Sequence, residues 1–122
     1  MMVRRFDDEP TAASRALQIW LILIGTAANR QTTTYGALAD VLGFKGAGTL
    51  AHMLGHVMQF CRKNALPPLT VLVVNQDTGL PGSGLTEVDP NADREAVFAF
   101  DWYSIYPPTV QELAEAYEAS NG

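Results

Sequence analysis

The chain has 122 residues, 48% of them hydrophobic and 17% charged, with a formal net charge of −5. That balance excludes the apolar-poor, highly charged composition of a disordered segment and predicts one globular domain spanning residues 1–122. The lone cysteine, Cys61, excludes an intramolecular disulfide and a cysteine-rich zinc site, so a reducing compartment is expected.

A charged start (1–10) places Asp7, Asp8 and Glu9 where a signal peptide needs its apolar core, which predicts a cytoplasmic protein. Residues 11–25 set Leu17, Trp20, Leu21 and Ile24 at helical spacing, with Thr11 or Ser14 as N-cap. The longest apolar run, 19–24, is far too short to cross a bilayer, so no membrane partner is expected. After a polar connection (26–31), the threonines at 32–34 cap a short helix from Tyr35 to Leu42, which Gly43 ends. A Gly-containing turn (44–48) leads to a third helix reaching Asn64, striped by Leu50, Met53, Leu54, Val57, Met58 and Cys61.

Residues 69–74 form a β-branched apolar run between Pro67-Pro68 and the turn 75–79, which predicts a buried strand. A glycine-rich loop follows at 80–85. The remainder predicts a helix at 93–100, an aromatic stretch with Trp102, Tyr103, Ile105 and Tyr106, and a final helix at 109–119. That last helix opens with the capping box Thr109-Val110-Gln111-Glu112 directly after Pro107-Pro108. The predicted class is therefore α/β: a helix-rich winged helix-turn-helix (11–85) with a short buried strand, and an acidic C-terminal helical extension (86–122) packing on it.

Charge is polarised along the chain. Residues 11–76 carry Arg15, Arg30, Lys45, Arg62 and Lys63 against Asp40 alone, whereas residues 77–122 carry Arg94 against nine carboxylates. Five cations are few for a nucleic-acid footprint, and segregation on solvated helix faces gives the same pattern.

The outline is sharpened by particular residues: Trp20, then Thr33-Thr34-Tyr35-Gly36-Ala37-Leu38-Ala39, Leu42-Gly43, and Ala51-His52-Met53-Leu54-Gly55 in the third helix. Their order and spacing over residues 15–85 resembles the C-terminal DNA-binding domain of alkylguanine-DNA alkyltransferases and the non-catalytic alkyltransferase-like proteins. The resemblance implies a helix-turn-helix in the minor groove, with Tyr35 helping to rotate a target nucleotide. It sets His52 where the family has an arginine that fills the gap left by the extruded base. The family's reactive Pro-Cys-His-Arg run falls on Val73-Val74-Asn75-Gln76, with Val74 at the nucleophile, so alkyl transfer by that mechanism is excluded.

Other chemistry is poorly supplied. Cys61 lies off the His52 face and five residues from His56, so neither histidine can activate it, and it reads as a small hydrophobe of the apolar stripe. His52 and His56 have the i, i+4 spacing of two metal ligands, but no carboxylate lies nearby in the helix. They are expected on its exposed side, facing a partner. Asp77-Thr78-Gly79 reads as a turn, since aspartic-protease chemistry needs two facing loops. Gly79, Gly82 and Gly84 lack the Lys-Ser/Thr ending of a phosphate-binding loop and read as the wing. Trp102, Tyr103 and Tyr106 lie in the acidic third and are expected to pack against the body rather than stack on bases.

No catalysis, cofactor or metal is predicted. The leading expectation is a DNA-binding module, with contacts from Arg30, Thr34, Tyr35, Lys45, His52, His56, Arg62 and Lys63, for a damaged or distorted duplex. The alternative is a protein-interaction module, such as an immunity protein, antitoxin or adaptor, whose acidic C-terminal third meets a basic protein partner.

Overall fold

A computed structural model describes every residue except Met1, Glu9, Ser83, Gly84 and Gly122. The first helix, α1 (Ala12–Ala28), starts where Thr11 Oγ1 accepts the Ser14 N–H at 3.0 Å. It runs three residues past the predicted end because Ala27 is still in the core, and it closes at Asn29. The buried face is carried by Ala16, Ile19, Trp20, Leu23 and Ala27, so the predicted stripe is corrected by a small rotation. Leu21 stands 47% exposed on the far side. Where apolar residues run consecutively from 19 to 24, spacing alone does not choose a face.

Strand β1 (Thr33–Thr34) and helix α2 (Tyr35–Leu42) share Thr34, whose hydroxyl accepts the Ala37 N–H at 3.0 Å. Gly43 ends α2 at φ +80°, a left-handed conformation that suits glycine. Helix α3 (Leu50–Lys63) follows a short 3₁₀ turn, Ala47–Thr49. The expected strand over 69–74 is extended only in its last two residues. Leu69–Leu72 is a 3₁₀ turn started by the Val71 N–H donating to Pro68 O, and only β2 (Val73–Val74) is extended. Burial of all six residues produced the strand-like pattern without requiring strand backbone.

β2 pairs in parallel with β1, Thr33 opposite Val73 and Thr34 opposite Val74. Helix α4 (Pro90–Ala99) starts earlier than predicted, with Asp89 accepting the Ala92 N–H at 2.9 Å and Pro90 in the first turn. In α5 (Val110–Asn121) both bonds of the capping box form: Thr109 N–H to Glu112 Oε1 at 2.9 Å and Glu112 N–H to Thr109 Oγ1 at 3.0 Å.

The architecture among the described residues is helix-rich α/β: five α-helices and one two-stranded parallel sheet. The core lies between α1, α3 and α5, with Trp20 at its hub. Its ring meets Phe60 of α3 and Trp102 edge-on, at 5.6 and 5.5 Å between centroids. Trp102 donates its indole N–H to Val97 O at 2.8 Å. Val97, Trp102, Leu113 and Ala116 belong to the same buried cluster as the residues of α1, α2 and α3, so the acidic third is part of the core. The aromatic stretch divides. Trp102 is buried as expected, whereas Tyr103 and Tyr106 are exposed, contrary to the expectation that all three pack inward. No described helix is long and apolar enough to cross a membrane.

Candidate functional site

The connection from α2 to α3 is tight. Phe44 N–H bonds back to Ala39 O at 2.9 Å, and the Phe44 ring sits under the Arg15 guanidinium at 5.2 Å, which leaves Lys45 at an exposed corner. At the other end of α2 the half-buried Tyr35 reaches the glycine-rich loop, its hydroxyl accepting the Gly82 N–H at 3.1 Å. A Cβ at position 82 would press on that hydroxyl and displace it, so glycine preserves the close approach. Burial pushes the Tyr35 phenol above its ordinary value, outweighing the opposing effect of the Gly82 bond. Thus the Thr34-Tyr35-Gly36 element and the predicted wing meet at the start of α2, while the α2–α3 turn lies at that helix's other end. Ser83 and Gly84 of that loop lie outside the described residues.

The predicted cations separate into two groups. Arg30 is ion-paired with Glu95 at 3.1 Å and stacked over Phe98 at 5.0 Å, and Arg62 is paired with Glu87. Both carboxylates come from the acidic third, so half of the expected phosphate-binding charge is already engaged. Lys45 and Lys63 are exposed and have no ion pair among the described residues. Glu87 is held in place by Asp93, which no local pattern marks out. Asp93 is 5% exposed and accepts the N–H groups of Glu87 (2.6 Å) and Val88 (3.1 Å), pinning the segment before α4.

The two histidines part company as well. His52 is exposed, with Nδ1 3.1 Å from the Tyr117 hydroxyl. His56, expected on the exposed side, is 5% exposed. Its Nδ1–H donates to His52 O at 2.8 Å, and its ring stacks on Tyr117 at 4.1 Å with planes 4° apart. His56 is inside because α5 docks along α3 and lays Tyr117 over this face, which no local pattern in α3 reveals.

Burial lowers the His56 pKa and electrostatic repulsion from His52 adds to that, against the raising effects of the His52 carbonyl bond and Glu118. Because the native state resists protonation of His56, the unfolded chain binds more protons below its ordinary pKa of about 6.5. Stability from this residue is complete above that pH and declines as the pH falls through it. Urea unfolding at pH 7.5 and 5.5 is expected to show lower stability at the acid pH, with a smaller difference in His56→Gln. An equal or larger difference in the variant contradicts the assignment.

No cluster of three or more metal-ligating side chains exists among the described residues. Cys61 is buried, and desolvation pushes its thiol up to about 12, which leaves negligible thiolate for nucleophilic chemistry at neutral pH. Asp77-Thr78-Gly79 is a turn, with Asn75 Oδ1 accepting the Asp77 N–H at 2.8 Å and Gly79 at φ +69°. Val74, set at the nucleophile by the resemblance, lines an open hollow of about 520 Å³ with Arg30, Thr32, Arg94 and Phe98. No family model matches the chain, and neither does any curated protein or solved structure.

Proposed function

We propose that this chain is a non-catalytic DNA-binding module of the alkyltransferase-like type, a winged helix-turn-helix that meets a duplex along the N-terminal edge of α3. The observation that carries the reading is the bond from Gly82 N–H to the Tyr35 hydroxyl, which fastens the glycine-rich loop to the start of α2. Lys45 and the exposed Ala51 and His52 supply the contact edge, with Lys63 at the far end of α3. Thr34 and Tyr35 act as positioning residues, because the Thr34 hydroxyl caps α2 and the Tyr35 hydroxyl holds the loop. Arg30 and Arg62 contribute little while Glu95 and Glu87 hold them, and the buried His56 makes no contact with DNA.

With two or three phosphate contacts, log affinity should fall with log salt at a slope of about −2 to −3. The dissociation constant should lie in the roughly micromolar to 100 µM range of non-specific binding. Fluorescence anisotropy at low salt, with an intact and a mismatched duplex, tests this. Lys45→Ala is expected to weaken both duplexes equally, and His52→Ala the mismatched one more, because that position is assigned to the gap beside an extruded base. Absence of binding at about 100 µM protein, by the wild-type chain and by Tyr117→Ala alike, removes the reading.

A second reading, capture of a basic protein partner, is favoured by a separate surface. Tyr103 and Tyr106 are 66% and 95% exposed on the segment that Asp101 opens, and exposed tyrosines are common anchors of protein interfaces. Under this reading the anisotropy stays flat with DNA.

A further inference from the structure

We infer that Tyr117 is an intramolecular cover on the DNA-facing side of α3, and that a duplex binds only when its ring swings aside. The inference rests on the proposed DNA-binding reading and names how that same surface is regulated.

On α3, Ala51, His52, Gly55 and Gln59 recur at three- and four-residue intervals and form the outward stripe. The middle of that stripe is occupied by the Tyr117 ring. A Cβ placed on Gly55 would lie 3.0 Å from Tyr117 Cε1, the Tyr117 hydroxyl is bonded to His52, and the ring face is stacked on His56. One aromatic side chain thus sits on the residue that the resemblance gives to gap filling and on the small residue that would allow a backbone close approach.

Moving this cover does not require α5 to leave. Leu113 and Ala116, fully buried, anchor the helix on the core, while Glu118 and Ser120 beyond the ring are exposed. Rotation of the Tyr117 side chain about its first torsion clears Gly55 and His52 and leaves the anchors in place. The barrier to that rotation is the lost stacking on His56 and the lost His52 bond. Glu118, next in the chain and electrostatically coupled to His56, adds negative charge at the same face and opposes an approaching phosphate.

The test is anisotropy of the full chain against an intact duplex at low salt, comparing wild type, Tyr117→Ala and Tyr117→Phe, with far-UV circular dichroism confirming the fold of each. A stacked aromatic contact corresponds to about a three- to tenfold change in affinity, so Tyr117→Ala is expected to bind tighter by that factor. Tyr117→Phe, which keeps the ring and loses the His52 bond, is expected to gain less. Proton NMR gives an independent readout: the His56 ring protons, shifted upfield by the stacked ring, should move back toward their free position as the duplex saturates. If wild type binds and folded Tyr117→Ala binds no tighter, the cover is refuted and the DNA reading stands. If neither binds, both fall. Binding by Tyr117→Ala alone supports both. Should Tyr117→Ala fail to fold, Tyr117→Phe and the His56 signals decide, and His56 resonances that stay in place at saturation overturn the inference.

Discussion

Ending the chain after Phe100 is expected to abolish cooperative folding. The deletion removes Trp102, Leu113 and Ala116, each at most 3% exposed, and opens the faces of α1 and α3 that they cover. Losing a buried tryptophan and a buried leucine costs about 5–10 kcal/mol by the usual large-to-small values. Domains of this size are stable by only about 5–15 kcal/mol in total. The shortened chain should give no sigmoidal thermal transition, bind a hydrophobic dye, and elute as aggregates. A truncated chain that stays monomeric and melts at the wild-type temperature would show that the acidic third is an appendage to the core.

Trp20→Ala is the single substitution expected to do most damage. Trp20 is 0% exposed and joins three parts of the chain through its edge-on contacts with Phe60 and Trp102, so truncation leaves a cavity that α1, α3 and the segment before α5 all border. The expected loss is about 3–5 kcal/mol. That corresponds to a fall in melting temperature of roughly 10–20 °C. Leu21→Ala, one residue further along α1 on the exposed side, is the control and should stay within about 0.5 kcal/mol of wild type. Equal losses at the two positions would mean that α1 presents a different face to the core.

Much of the helical framework is legible in the sequence because its signals are local. Thr11, Thr34 with Gly43, and Thr109 with Glu112 each report a helix end through a bond spanning three or four residues. What escapes local reading depends on residues far apart. β1 is two threonines that become a strand only because Val73 and Val74 lie alongside, and nothing near Thr33 announces that partner. The 3₁₀ turn at Leu69–Leu72 hides behind complete burial. The start of α4 is signalled locally by Asp89-Pro90, a capping carboxylate followed by proline in the first turn.

The candidate site divides in the same way. Tyr35 and the glycine-rich loop are both visible as elements, but their contact spans 47 residues. The engagement of Arg30 by Glu95 and the covering of His52 and His56 by Tyr117 each join positions 61 or more residues apart. Counting cations along the chain therefore overstates the charge available to DNA, and helical spacing in α3 places both histidines outside when one is inside.

The α2–α3 edge and the glycine-rich loop are the proposed DNA contact, and amide chemical-shift mapping tests that assignment most directly. Titrating the uniformly ¹⁵N-labelled chain with a short mismatched duplex at low salt should shift the amides of residues 43–55 and 80–82 progressively, while residues 101–106 stay in place. Shifts confined to residues 101–119, or none at saturating duplex, would contradict it.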